Sequence, residues 1–288
     1  MTALSFKFGT VGSPKSTPKK PGGSVGGVIQ SADLGLFSLE LGWVRSVRVS
    51  EKTCQEIKVA AEENGVLISV HAPYYINLNA DEDEWPKSKK RLMDAAHYGN
   101  LAGATDIVFH PGSYFQQPPE KVLPTAIKRL DSCIQELRAA DNQVTLRPET
   151  MGKSAMLGSL DDTIEMSLAI EGVQPCIDAA HLFARPGDGS FNTYDHWAQM
   201  LEEYSGALGS ESLKHLHIHI SGIDYGEKGE KEHLPLDDSE LDYKSFLKAL
   251  HDFECQGRIL CESPTLEEDA LICKQAWCDT SGEDCSGD

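Results

Sequence analysis

Short runs rich in β-branched residues alternate with amphipathic stretches along the chain, and this alternation limits the possible folds more than any other property. Candidate strands are Phe6–Gly9, Phe37–Leu41, Val66–Val70, Asp106–Phe109, Val144–Arg147, Pro175–Ile177, Leu213–Ile218 and Arg258–Cys261. The intervening patterns at Val25–Asp33, Ser50–Glu63, Pro86–Leu101, Pro119–Arg138, Leu160–Ile170, Tyr194–Tyr204, Tyr243–His251 and Leu266–Trp277 have helical periodicity. A strand followed by a helix must cross back before the next strand begins, so successive strands run parallel. Eight such units predict an α/β fold, a closed (β/α)8 TIM barrel rather than an open sheet. The length of 288 residues suits one such domain. The barrel is expected over residues 1–279, followed by an acidic, disordered tail over 280–288.

Several joints carry turn chemistry. Ser50 stands where an N-cap belongs, Asn64-Gly65 fits a left-handed helix stop, and Gly103 fits another. Two segments resist regular structure: Ser13–Gly23, rich in Pro, Lys and Gly, and the charged stretch Gly222–Ser239. Both follow strands, which places them on the face of a barrel where active sites are built.

Composition narrows the class of protein. No apolar run approaches the ~20 residues that span a bilayer. The opening residues lack the layout of a signal peptide, so a cytoplasmic protein without membrane contact is expected. The eight cysteines include no C-x-x-C pair, which removes the usual zinc-knuckle and redox spacings and favours reduced thiols. Formal net charge is −19, a surface that repels nucleic acid unless bound cations or local basic residues reverse the field.

Six consecutive candidate strands finish in side chains able to bind metal. His71 follows Val66–Val70, His110 follows Phe109, and Glu149 follows Pro148. Asp178 and His181 follow Ile177, His219 follows Ile218, and Glu262 follows Cys261. In a barrel these ends meet on one face. So many carboxylates and imidazoles could not be buried together without cations, because desolvation and mutual repulsion oppose it. Mixed imidazole and carboxylate donors without Cys suit a catalytic zinc, manganese or iron(II) site. His215, His217 and His219 share strand parity. His219 is taken as the ligand because it lies nearest the strand end, and His217 as a hydrogen-bonding partner behind it.

The segments His71-Ala-Pro-Tyr-Tyr-Ile-Asn-Leu78, Phe109-His-Pro-Gly-Ser113, Pro148-Glu-Thr-Met-Gly152, Ile177-Asp-Ala-Ala-His181 and Cys261-Glu-Ser-Pro264 resemble the successive signatures of endonuclease IV. These are the metal-dependent apurinic/apyrimidinic endonucleases of the xylose-isomerase-like barrels. The resemblance runs from about Ser69 to Pro264 in the same order and spacing. It implies two or three Zn2+ ions, with Mn2+ as the alternative. His71 and His110 would hold the first ion, with Glu149 bridging it to the second. Asp178, His219 and Glu262 would complete the second, and His181 and His233 would hold the third. The family places an Asp two residues before this last His, where the chain has Lys231. Glu230 or Glu232 would have to substitute. By the same resemblance Tyr74 matches an aromatic that enters DNA at a lesion, and Lys15, Lys19 and Lys20 could contact phosphates.

The implied activity is hydrolysis of damaged double-stranded DNA 5′ to an abasic site, in base excision repair, by a monomer. Glu149 and Glu262 would be its catalytic carboxylates. A different class is a sugar isomerase or epimerase on the same barrel, holding one Mn2+ through Glu149, Asp178, His219 and Glu262. The acidic surface favours that alternative, but it would leave His71, His110 and His181 without an ion.

Overall fold

The computed structural model describes residues Ser5–Cys285. Eight parallel strands form one sheet: β1 (Phe6–Val11), β2 (Ser38–Gly42), β3 (Leu67–His71), β4 (Ala104–Phe109), β5 (Thr145–Pro148), β6 (Ile177–Asp178), β7 (Leu216–Ile220) and β10 (Gly257–Cys261). Their spatial order is β5-β4-β3-β2-β1-β10-β7-β6. Parallel bridges Leu146↔Val173 and Glu149↔Cys176 join β5 to the segment entering β6, and so close the sheet into a barrel.

The helices between the strands are α1 (Gly23–Asp33), α2 (Glu51–Asn64), α3 (Trp85–Leu101), α4 (Pro119–Ala139), α5 (Leu160–Ala169), α6 (Ala179–Ala184), α7 (Tyr194–Leu208), α8 (Tyr243–Asp252) and α9 (Glu267–Ser281). Local chemistry accounts for their ends. Ser50 Oγ accepts from Thr53 N at the start of α2, and Gly65 stops that helix at φ 66°. Their apolar faces pack with the strands into two clusters. One contains Trp197, Phe246 and Trp277, and the other Leu92, Ile107 and Leu130. Each such fully buried side chain contributes about 1.5–3 kcal/mol of transfer free energy. Among the described residues no helix is long and apolar enough to cross a membrane.

The end of the barrel where the strands begin is closed by charge. Asp106 near the start of β4 accepts from Arg147 Nε, while Arg258 Nη2 lies 3.0 Å from its other oxygen. Arg147 also donates to the carbonyls of Pro175 at 3.0 Å and His215 at 3.1 Å. The guanidinium groups of Arg147 and Arg258 hold the Asp106 carboxyl far below its ordinary range, against the opposing effect of burial.

Four expectations need correction. Gly222–Ser239 is not irregular: it contains an antiparallel hairpin, β8 (Gly222–Gly226) and β9 (Gly229–Leu234). The seventh strand starts at Leu216 instead of Leu213, whose buried side chain belongs to a 3-10 turn over Ser210–Lys214. Cys278 and Cys285 form a disulfide, so the cysteines are not all reduced. From Thr280 to Cys285 the chain is held rather than frayed. Glu283 there accepts from Ser5 N and Oγ and from Trp277 Nε1. Residues 286–288 of the expected tail lie outside the described residues.

Candidate metal centre

Six strands of the barrel deliver their chemical side chains to the same mouth. His71 is the last residue of β3, His110 follows β4, Glu149 follows β5, and Glu262 follows β10. Asp178 ends β6 and caps α6, its Oδ1 accepting from His181 N at 2.7 Å. That short helix turns His181 back over the mouth. His219 lies within β7, and β9 carries Glu230 and His233 in from the side.

These residues form four overlapping groups with ligand atoms within 4.8 Å of one another: His71, His110 and Glu149; Glu149, Asp178, His219 and Glu262; Asp178, His181 and His233; and His71, His219 and Glu262, which joins the first two. Glu149 is the hinge. Its Oε2 lies 3.1 Å from His71 Nε2 and 3.3 Å from His110 Nε2. Its Oε1 lies 3.2 Å from His181 Nδ1 and 3.5 Å from His219 Nδ1. His219 Nδ1 is 3.4 Å from Glu262 Oε1. His71 donates from Nδ1 to the Ala72 carbonyl at 2.9 Å, which turns Nε2 toward Glu149; an ion bound between them would take the place of the Nε2 proton.

Glu149 Oε1, Asp178 Oδ2 and His219 Nδ1 are buried without a well-aligned hydrogen-bond partner. Buried polar atoms left this way are costly, and cations among them would satisfy all three at once. The donor set, imidazole and carboxylate, fits zinc or manganese.

The hairpin brings a carboxylate to the mouth in an unforeseen manner. Ile223 pairs with His233 and Asp224 with Glu232, but Tyr225 pairs with Glu230, so Lys231 is bulged out. Ile223 and Tyr225 share a face of β8, hence their partners His233 and Glu230 share a face of β9. Glu230 Oε2 reaches within 3.6 Å of His181 Nε2, while Lys231 turns outward to Asp224 at 3.2 Å. A Cβ at Gly152 would stand 2.7 Å from Glu230 Cβ and 3.1 Å from His181 Cδ2, so only glycine leaves room there. His181 Nε2 and His233 Nε2 face each other at 3.4 Å. Glu232 points away from this group and is exposed.

Tyr74 stacks on the His110 ring, with centroids 4.9 Å apart, and is half exposed. Lys15, Lys19 and Lys20 are exposed on the loop after β1. That loop is anchored by Glu267, which accepts from Lys15 N and Ser16 N, both at 2.8 Å. Sequence reasoning missed Glu40. This residue of β2 is wholly buried, and its carboxylate oxygens each lie 3.0 Å from a histidine, His217 Nε2 and His219 Nε2. Its signal is a lone acid inside the apolar run Ser38–Leu41.

Burial opposes ionisation of Glu149, but His110, His181 and His219 outweigh it and hold the carboxyl well below its usual range. Burial opposes protonation of His71 and His181, yet Glu149 lifts the former to about 9, and Asp178 with Glu149 lifts the latter to about 10. Without metal both rings therefore carry a proton at neutral pH. Their raised values stabilise the metal-free fold fully below an unfolded value near 6.5, and that contribution is lost as pH rises through 9 to 10. Metal needs the neutral ring. Uptake of zinc at about pH 7.5 is accordingly expected to expel protons, and affinity to rise with pH up to that window. Calorimetric titrations in two buffers of different ionisation enthalpy measure this directly; identical heats would contradict it.

Known proteins place the chain in context. Residues 28–277 match the model of the xylose isomerase-like TIM barrel family. An uncharacterized protein of Methanocaldococcus jannaschii is 37% identical over 266 residues, covering 92% of this chain and 94% of its own. Endonuclease 4 of Thermus thermophilus is 26% identical over 206 residues, 69% of this chain and 72% of its own. Among solved structures, an endonuclease IV from Thermus thermophilus superposes with a TM-score of 0.68 at 21% identity, over 94% of this chain and 99% of its own. A D-tagatose 3-epimerase-like protein also gives 0.68, at 17% identity, over 95% and 98%. At such identities the superpositions speak for the fold alone, and the two differ in chemistry. With the match covering every strand of the barrel but β1, the chain belongs to the xylose isomerase-like TIM barrel family, and endonuclease IV proteins are among its relatives.

Proposed function

We propose that the protein is a zinc-dependent phosphodiesterase of the endonuclease IV type, cleaving duplex DNA 5′ to abasic sites. The observation that carries this reading is the number of donors. A single-ion isomerase is served by Glu149, Asp178, His219 and Glu262 alone, one of the overlapping groups at the mouth. It has no use for His71 and His110 at one side, or for His181 and His233 at the other.

In this reading His71, His110 and Glu149 hold one ion, Glu149, Asp178, His219 and Glu262 a second, and His181 and His233 with Asp178 or Glu230 a third. Bound there, divalent ions activate water and neutralise charge on the departing oxygen. Glu149 keeps the first two groups in register through its two oxygens. Glu262, partly open to solvent, accepts a hydrogen bond from the attacking water and orients it. Tyr74, above His110, is placed to fill the gap left by the missing base, and Lys15, Lys19 and Lys20 to meet backbone phosphates. A sugar without a base has nothing to unstack, which makes it the cheapest nucleotide to turn into the mouth. The protein acts as a monomer in the cytoplasm, with Mn2+ as the alternative to zinc.

Incubation with a duplex oligonucleotide holding one synthetic abasic site is expected to give nicking 5′ to the lesion, abolished by chelator and restored by zinc. Intact oligonucleotide with ions bound would overturn the nuclease reading, and a single ion per chain would favour the epimerase. The net charge of −19 is the property that supports that second reading.

A further inference from the structure

We infer that Glu40 is a positioning residue that fixes the tautomer of His219 and thereby makes its Nδ1 a metal ligand; this rests on the metal-centre reading but not on the identity of the substrate. Glu40 stands on β2 and His219 on β7, strands separated in the sheet by β1 and β10. Its carboxylate therefore reaches across the barrel interior, one layer beneath the mouth. One oxygen, Oε2, accepts from Ser69 Oγ at 2.7 Å and faces His217 Nε2 at 3.0 Å. The other, Oε1, lies 3.0 Å from His219 Nε2. All four residues are buried.

An imidazole in such a place has two neutral forms, and only one of them leaves Nδ1 free to donate its lone pair to a cation. A carboxylate has no proton to give, so a ring nitrogen facing it must carry the hydrogen. Glu40 thus requires Nε2–H on His219, and once a cation separates Nδ1 from the carboxylates of Glu149, 3.5 Å away, and Glu262, 3.4 Å away, the neutral ring has its lone pair on Nδ1. Glu40 Oε1 and His219 Nε2 are both buried without a well-aligned hydrogen bond, and at 3.0 Å apart each offers what the other needs. His217 serves as a second donor to the same carboxylate. Its Nε2 faces Oε2 at 3.0 Å, on the far side of Glu40 from Glu149 and Glu262.

Among the described residues no hydrogen bond or ion pair joins Glu40 to His71, His110 or Glu149, so the two ion sites should respond to different degrees. In Glu40→Gln the amide must donate to one of its two histidine neighbours, which forces that ring into the opposite tautomer. Stepwise removal of zinc by graded chelator, followed by elemental analysis, is expected to show one ion held about 10- to 100-fold more weakly and another unchanged. Wild-type affinity for every ion in a folded variant would overturn the assignment. Ser69→Ala, which removes only the hydroxyl donor to Glu40, is expected to shift the same ion less.

Nitrogen-15 NMR of the zinc-loaded wild-type protein tests the tautomer without any substitution, should Glu40→Gln fail to fold. Nε2–H with Nδ1 ligated is expected for His219, and zinc on Nε2 would refute the inference. A protein that binds ions but leaves abasic DNA intact would remove the proposed substrate and leave Glu40 in its role. One that binds no ion would remove both.

Discussion

Replacing Glu149 by Ala is expected to leave a folded barrel that binds at least one ion fewer and has lost turnover by roughly a thousandfold, about 4 kcal/mol of transition-state stabilisation. No other carboxylate at the mouth faces as many histidines. One of its oxygens meets His71 and His110, and the other His181 and His219, all within 3.5 Å. In the proposed reading its removal therefore disrupts two ion sites that share it, instead of thinning one. Elemental analysis of the purified variant, beside the abasic-site assay, measures both effects. An unchanged metal content would refute the bridging role, whatever happened to activity.

Asp106→Asn is expected to destabilise the protein by about 3–5 kcal/mol while leaving metal binding intact. The carboxylate is the shared counter-charge of Arg147 and Arg258, and both Asp106 and Arg147 are at most 5% exposed. Neutralising it strands two guanidinium groups in the barrel interior. For a chain of this size the midpoint of thermal unfolding should fall by roughly 10 °C. A midpoint indistinguishable from wild type would mean that water reaches the arginines. The contrast with Glu149→Ala separates the two ends of the barrel: strand starts carry stability and strand ends carry chemistry.

Much of the candidate site can be read from the sequence because a barrel gathers the ends of all its strands. His71, His110, Glu149, Asp178 and Glu262 each close an apolar run, and strand periodicity alone brings them to one mouth. His219 is legible even with its strand set too early, since the parity of the three alternate histidines is indifferent to where the strand starts. Glu40 escapes because it sits inside a strand, where an acid looks like an edge residue until the barrel closes over it. The helix α6 also escapes: six residues show too little periodicity to register, and its cap, Asp178, reads equally well as a strand end. The hairpin is hidden by its composition. Gly229–Leu234 is charged and lacks β-branched residues, so its pairing is visible only in the backbone. The link between Cys278 and Cys285 depends on how the chain returns after α9, which spacing does not encode.

The bulge at Lys231 bears on how such proteins are sought. A ribbon that skips one residue acts as a vernier, sliding a carboxylate along the chain while leaving it beside His181. A search that demands an acid two places ahead of the last histidine discards this chain, and any other whose ribbon makes the same slip. Ribbon pairing, counted residue by residue, is the safer guide to what reaches the ion.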